Sequence, residues 1–488
     1  MARLSIYRDA RLEKLKKLQG MGIDPFPASF ELRTNTIGEV REMLDKKVGI
    51  TGRIVAWREH GASVFADIKD QTGQIQIWFQ KDKLGRKFEI TPLLDVGDFL
   101  GAIGIVTKTK AGEVTIDVSD FKLLTKSLRP LPSTWYGLKD TEERYRKRYI
   151  DLLLNPEVRE RFRIRTKLFR GVRKYLDNLG YEEVETPTLQ PLYGGANAKP
   201  FKTHINALGQ DFYLRIADEL YLKRLVVGGY EKVYEICKDF RNEGLDLTHN
   251  PEFTMIEYYQ AYADYNKIME VTEGLFKHLA NELFGHTNLE VGEHKIDIGK
   301  QWRKITMTEI IKEVINLDVE KMDEEELVKY CQDNNIGLAG GESKGQIIFT
   351  IFEHKVTNSL VEPTWVIDYP AEVSPLSKAH RSKPGWVERF EGYIGGKEIC
   401  DGWSELTNPL EQRARLEADT NAARKDREEA QHVDEDFLEA MEYGMPPLGG
   451  IGIGIDRLSM FFTNTWSIKE LILFPTMRRV NAAENKEE

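Results

Sequence analysis

From Val48 to about residue 125, apolar and polar positions alternate with a period of two, the signature of half-buried strands. The segments KVGITGRIVAWRE, SVFADIKD, QIQIWFQ, DFLGAIGIVTKT and EVTIDVSDFKLL are separated by turn signals at Gly61, Gly73 and Ala111-Gly112. Five short strands in roughly eighty residues predict a small closed barrel. Ahead of it, residues 7–19 carry Leu12, Leu15 and Leu18 at helical spacing and stop at Gly20. Behind it, LLTKSLRPLPSTWYGLKD reads as a proline-punctuated linker, and KDTEERYRKRYIDLL restarts the helical period.

Asn155-Pro156 then forms a helix-start signal, and Val158, Phe162, Leu168, Val172 and Leu176 give one apolar stripe ending near Gly180. YEEVETPTLQP continues as a strand broken by Pro187, which confines it to a sheet border. A strand, YLRIADE, and a helix, LYLKRLVVGG, lead into two strands, VYEICKDFR and FTMIEYYQA, joined by the polar loop NEGLDLTHNPE. Residues 266–360 are mainly helical in pattern and read as an insertion. The last section holds RFEGYIGGKEICDGWSEL and MPPLGGIGIGIDRLSMFF, a glycine-rich strand that opens a helix at Asp456-Arg457. The predicted class is α+β: an N-terminal helix and five-stranded barrel over 1–130, a linker and restart over 131–150, and a second domain over 151–488 with its helical insertion at about 266–360.

The chain has 488 residues, enough for two or three domains with their own cores. It lacks eighteen consecutive apolar residues, and no apolar segment follows its charged start, so neither a membrane span nor a secretory signal is expected. Cys237, Cys331 and Cys400 match no zinc spacing and fit packing roles in a reducing cytoplasm. The net charge of −10 is uneven, because residues 1–150 hold 27 Lys and Arg against 20 Asp and Glu. The front third is therefore the place to look for a polyanionic partner.

Candidate chemistry concentrates in the two strands around NEGLDLTHNPE. Arg241, Glu243, His249 and Glu257 flank Phe253, where a half-buried sheet does not normally spend charge. A guanidinium fork suits phosphate or carboxylate, and an aromatic face suits a base. Glu398 and Glu405, on strand-like sequence, are a candidate magnesium seat, against the ordinary alternative of two exposed acids. Neither a dinucleotide glycine loop nor a GxxxxGK[ST] phosphate loop occurs, so any nucleotide binds by another device. GESKG at 341–345 mimics a nucleophile elbow, but no strand precedes it. On the barrel, Arg58, Phe65, Gln76 and Trp78 combine aromatic faces with amide and guanidinium groups, which unpaired bases require; an oligonucleotide-binding barrel is the leading candidate.

Together these pieces resemble the class II aminoacyl-tRNA synthetases, and within them the lysine-specific family. The resemblance covers nearly the whole chain: RLEKLKKLQGMGIDPFP, the barrel, LKDTEERYRKRYIDLL, ETPTL, FRNEG with THNPEFT, GKEICDGWSEL and GIGIGIDR. It implies a lysine–tRNA ligase that activates L-lysine with ATP, forming lysyl-adenylate and pyrophosphate, and then charges the 3′ end of lysine tRNA. It implies catalytic Arg241 and Arg457; an ATP site of Arg241, Glu243, His249, Asn250, Phe253, Glu398 and Arg457; and Mg2+ held by Glu398 and Glu405. For lysine it implies Gly195, Glu219, Arg241, Glu257 and Tyr259, and for the anticodon Arg58, Phe65 and Gln76. It further implies a cytoplasmic homodimer. After SEL the family continues Asn-Asp, whereas this chain has Thr407-Asn408, so either Asn408 takes over from the family's amino-acid-binding asparagine or Thr407 suffices, with Asn408 as the candidate. The nearest rivals are the aspartate- and asparagine-specific members, the lysine ligase that modifies elongation factor P, and a non-catalytic paralogue. The last two are disfavoured by the barrel and by the presence of Arg241, Arg457, Glu398 and Glu405.

Overall fold

The structure, a computed structural model, describes residues 2–132, 138–421 and 433–479. Two compact units divide it, one up to Asp140 and the other spanning Thr141–Arg478. Residues 133–137 of the proline-punctuated linker lie outside the described residues.

In the first unit the expected barrel forms from β1 (Lys47–His60), β2 (Ser63–Lys69), β3 (Gln74–Gln80), β4 (Phe99–Lys108) and β5 (Val114–Thr125). It closes in the order β1-β2-β3-β5-β4, with β3 and β5 parallel and the other pairs antiparallel. One face of each strand fills the interior, with Ile50, Ile54, Ile68, Ile77, Phe79, Leu100 and Ile116 fully enclosed. The preceding helix, Ala2–Gly20, is longer than its leucine spacing suggests. It attaches through Leu18, which joins the barrel core, and through Arg11, whose guanidinium donates to the carbonyl oxygens of Val96, Ser127 and Arg129. Closure leaves no free sheet edge, so the outer face is available for polar and aromatic groups.

The second unit is built on one eight-stranded sheet: β6 (Glu182–Glu183), β7 (Lys232–Phe240), β8 (Glu252–Ala261), β9 (Arg303–Thr306), β10 (Thr364–Pro370), β11 (Trp386–Ile394), β12 (Lys397–Ser404) and β13 (Leu448–Gly454). Their order is β9-β10-β11-β12-β13-β8-β7-β6, antiparallel throughout except for a parallel pair at each edge. Pro187 falls just beyond edge strand β6, where its missing N–H breaks no ladder. The helices Pro156–Asn178 and Tyr265–Phe284 cover one face and make the main core with Ile256, Tyr258, Ile451 and Ile453. The other face is left open over its central strands.

The 266–360 stretch departs from a self-contained helical insertion. Its first helix belongs to the main core, and Arg303–Thr306 is the edge strand of the main sheet. Only Met307–Ile315, Glu324–Asp333 and Lys344–Lys355 form a separate cluster, packed on β10. Helical periodicity identified the helices but could not show which face of the sheet their apolar stripes meet. Ser343 of GESKG caps Lys344–Lys355, its hydroxyl accepting from the Gln346 N–H in a capping box. Among the described residues no helix is long and apolar enough to cross a membrane.

Candidate active site and barrel surface

A cavity of about 370 Å³ lies over the open face, in the size range of small-molecule sites. Its floor follows from strand geometry. On β8 the odd positions Phe253, Met255, Glu257 and Tyr259 line the cavity, while Ile256 and Tyr258 point into the core. Strand β13 lies beside β8 with Gly450 opposite Tyr259 and Gly452 opposite Glu257. A Cβ at Gly450 would lie 2.3 Å from the Tyr259 ring and 2.5 Å from Glu405 Oε1. The missing side chains of β13 thus make the room that the neighbours' tyrosine and carboxylate occupy.

Strand β12 closes the floor through an irregularity. Gly392 pairs with Cys400 but Tyr393 pairs with Glu398, so Ile399 is an extra residue that shifts the alternation. Glu398, Asp401 and Trp403 consequently all reach the cavity although their spacing mixes odd and even steps.

Eleven of the residues singled out in sequence line this one cavity: Gly195, Glu219, Arg241, Glu243, His249, Asn250, Phe253, Glu257, Tyr259, Glu398 and Arg457. The Arg241 guanidinium sits 5.1 Å over the Phe253 ring, so fork and aromatic face occupy one corner. Arg457 donates to Glu398 at 3.0 Å and lies 3.3 Å from His249 Nε2, while His249 Nδ1 contacts Asp246 at 2.7 Å. Asn250 is buried, its amide donating to the Glu252 carbonyl oxygen. Gly195 has φ +84, and a Cβ there would stand 3.2 Å from the Glu219 Cβ, so only glycine lets the backbone lie against that glutamate.

Glu405 and Asn408 stand apart from the lining. Glu405 is buried beneath it, ion-paired with Lys223 and accepting from Trp403 Nε1 at 2.7 Å. Its second oxygen, Oε1, is buried without a partner among the described residues. Asn408 is exposed and accepts from the Leu410 N–H at the start of the helix Pro409–Asn421. A helix-start asparagine next to Pro409 is legible as a cap, and that local demand holds its side chain outside the cavity.

The electrostatics of the floor were not read from sequence. Sheet register sets Glu391, Asp401, Gly452, Glu257 and Glu235 in one row across five strands, so four acidic side chains share a face. Arg389 donates to Glu391 at 2.8 Å and to Asp401 at 2.9 Å, and Arg215 donates to Glu235 at 2.7 Å. Lys223 joins Glu219 to Glu405. Among the described residues, Glu257 and its neighbour Asp218 have no cationic partner; Glu257 accepts only from the Tyr259 hydroxyl, at 2.7 Å. Burial, with Glu219 and Asp239 nearby, pushes the Glu257 carboxyl up to about 8. Among the described residues, the other acids of the floor share Arg389, Arg215 and Lys223, and the adjacent Glu257 and Asp218 are left without a cation.

On the barrel, Phe65 pairs with Arg58 on one side and Trp78 on the other. The Phe65 and Trp78 rings stack 5.5 Å apart at 11°. Arg58 is held bidentately by Asp67, and Gln76 donates to Glu113 at 3.2 Å. The aromatic pair lies on the outer face, with Ile75, Ile77 and Phe79 on the inner one.

Residues 140–478 match the family described as tRNA synthetases class II (D, K and N), and residues 48–124 match the OB-fold nucleic acid binding domain. The chain belongs to the class II tRNA synthetases. Its similarity to curated members runs end to end. A lysine–tRNA ligase of Halalkalibacterium halodurans is 47% identical over 481 residues, covering 96% of each chain. One from Methanoculleus marisnigri is 46% identical over 490 residues, covering 98% of this chain and 96% of its own. One from Bacillus subtilis is 46% identical over 482 residues, again covering 96% of each. The synthetase match coincides with the second unit and its cavity, and the nucleic-acid-binding match with the barrel that carries the stacked rings.

Proposed function

We propose that this chain is a lysine–tRNA ligase: it joins L-lysine to ATP, releases pyrophosphate, and transfers lysine from the adenylate to the 3′ end of lysine tRNA. The observation that carries the amino-acid choice is the buried Glu257, which has no cationic partner among the described residues, whereas Glu219, Glu398, Asp401 and Asp456 of the same cavity are each ion-paired. Within a family that serves aspartate, lysine and asparagine, an uncompensated carboxylate calls for a cationic side chain; an acidic substrate needs the opposite charge. The lysine–tRNA ligase relatives named above support the same choice.

In this reading the ε-ammonium of lysine meets Glu257 and the Tyr259 hydroxyl, and its α-ammonium meets Glu219 and the backbone of Gly195. The lysine carboxylate attacks the α-phosphorus of ATP in line with the departing pyrophosphate. Arg241 bridges that carboxylate and the α-phosphate, drawing two anions together and stabilising charge that grows at phosphorus. Its place over Phe253 fits both tasks, since the ring stacks on adenine beside the phosphates. Glu243 reads the adenine amino group, Asn250 shapes the loop, and His249 with Arg457 holds the distal phosphates.

Glu398 and Glu405 suit a magnesium ion in chemistry, being hard oxygen donors, and the unpartnered Oε1 of Glu405 fits that role. When bound, the metal neutralises pyrophosphate charge. Arg58, Phe65 and Gln76 receive the anticodon, and the protein works as a cytoplasmic homodimer. Asn408, as a helix cap, contributes nothing to lysine binding in this reading.

Lysine-dependent exchange of radiolabelled pyrophosphate into ATP tests the activity, with aspartate and asparagine as competitors for the role. Exchange with lysine alone is expected; exchange with either of the others instead overturns the reading.

A further inference from the structure

Asp218 occupies the N-cap position of the helix Glu219–Val227, where an aspartate ordinarily accepts from the first N–H groups, yet its side chain makes no such bond. The carboxyl is completely buried, and both oxygens lack a hydrogen-bond partner among the described residues. One oxygen each from Asp218, Asp239 and Glu257 lie within 4.8 Å of one another. Unlike Glu257, Asp218 does not line the cavity.

The surroundings decide what that carboxyl does. β7 contributes Glu235, Cys237 and Asp239; β8 contributes Glu257 and Tyr259; the helix contributes Glu219 and Lys223; and Arg215 and Arg241 complete the charged set. Arg215 is engaged by Glu235 and Asp239, and Lys223 by Glu219 and Glu405. Arg241 donates to the Ile216 carbonyl oxygen at 3.4 Å, and among the described residues no cation pairs with Asp218. Two buried carboxylates whose oxygens approach within 4.8 Å do not both ionise. Glu257 already has a donor in the Tyr259 hydroxyl and access to the cavity; Asp218 has neither.

We propose that Asp218 is a positioning residue for the lysine side chain: it keeps its proton and donates it in a hydrogen bond to Glu257, so that of the pair Glu257 ionises against the ammonium. The inference rests on Glu257 being the ammonium site. Its consequence is a pocket of one negative charge, matched to one ammonium. Burial first, and Glu257 next, raise the Asp218 carboxyl well above the usual carboxylate range, in the direction this requires.

The test compares full-length Asp218→Asn, which keeps a donor and loses the titrating group, with Asp218→Ala, which keeps neither. Pyrophosphate-exchange kinetics are expected to give at least a tenfold rise in lysine KM for Ala, a rise at least five times smaller for Asn, and ATP KM within threefold for both. Equal damage from both variants overturns the proposal, since Asp218 then acts through its charge; so does an unchanged lysine KM in Ala. A second readout needs no substrate: at pH 7 the infrared difference spectrum of wild type minus Asp218→Asn should contain a protonated-carboxyl C=O band, and its absence overturns the proposal even if the Ala variant does not fold. Glu257→Gln is the control: a lysine KM unmoved by it refutes the ammonium site, whereas a raised KM there with unaffected Asp218 variants refutes only the role of Asp218.

Discussion

At the residue scale the proposed lysine site turns on a carboxylate that is unfavourable without a cation beside it. Glu257 is buried, and without a cation its ionised form is penalised, so the empty protein holds it near 8 instead of the ordinary 4.5. The folded-state value lies above the unfolded one, so the group's contribution to stability is fully present below about 4.5 and is lost as pH rises through about 8. Glu257→Gln removes that penalty. At pH 8 this variant should be more stable than wild type by on the order of a few kcal/mol, read as a higher melting temperature, and the gap should close toward pH 4.5. Function moves the other way. Losing the carboxylate leaves a buried ammonium unpaired, at a cost of roughly 3–5 kcal/mol, so lysine KM should rise by a factor of hundreds or more and ATP KM far less. Equal effects on the two substrates contradict the assignment. The same linkage predicts that wild-type lysine affinity strengthens from pH 6.5 to 8, because binding requires Glu257 to release its proton; isothermal titration across that range reads it directly, and a flat profile would be inconsistent with it.

At the scale of elements, the glycines of β13 make room for the residues on neighbouring strands. Gly450→Ala drives a Cβ into both the Tyr259 ring and Glu405, so overpacking should cost about 1–3 kcal/mol and displace the hydroxyl that Glu257 accepts from. Gly454, with only the Arg457 side chain at 3.8 Å or beyond, should accept alanine with little change in melting temperature. A Gly450→Ala protein as stable as wild type, with unchanged lysine KM, contradicts this account of the floor. Elements also mark where sequence reading stops. Phe253, Glu257 and Tyr259 share one face of β8 because a regular strand obeys a period of two, while the pairing of Glu257 with Tyr259 came from the family resemblance. The extra residue at Ile399 on β12 has no such signature, and it is what brings Glu398 onto the face that carries Asp401 and Trp403. Arg389, Asp401, Lys223 and Asp218 escaped notice for a related reason. Their meaning lies in cross-strand register and burial, which no single segment encodes. Asn408 lies outside the cavity lining under a competing local demand, since an asparagine before Pro409 serves the helix start.

At the scale of the whole molecule, the two units have separate cores and separate chemistry. The barrel interior is closed by its own strands, and the cavity lies wholly within the second unit. Adenylate formation needs only lysine and ATP, so in the proposed reading it draws on the second unit alone; charging also needs the tRNA, which that reading brings to the barrel's outer face. The positive balance of residues 1–150, set against the acidic remainder, fits that division, because phosphate contacts supply general affinity and stacking supplies recognition. Phe65 is the sharpest probe. Its ring is stacked on Trp78 and excluded from the barrel interior, so Phe65→Ala removes a stacking platform without opening a core cavity. A stacked base is worth about 1–3 kcal/mol, which corresponds to a rise in tRNA KM between about fivefold and a hundredfold. Lysine-dependent pyrophosphate exchange should be untouched. If exchange falls together with charging, the two units are coupled through catalysis and the division of labour is wrong; if neither changes, the stacked pair is not where the anticodon binds.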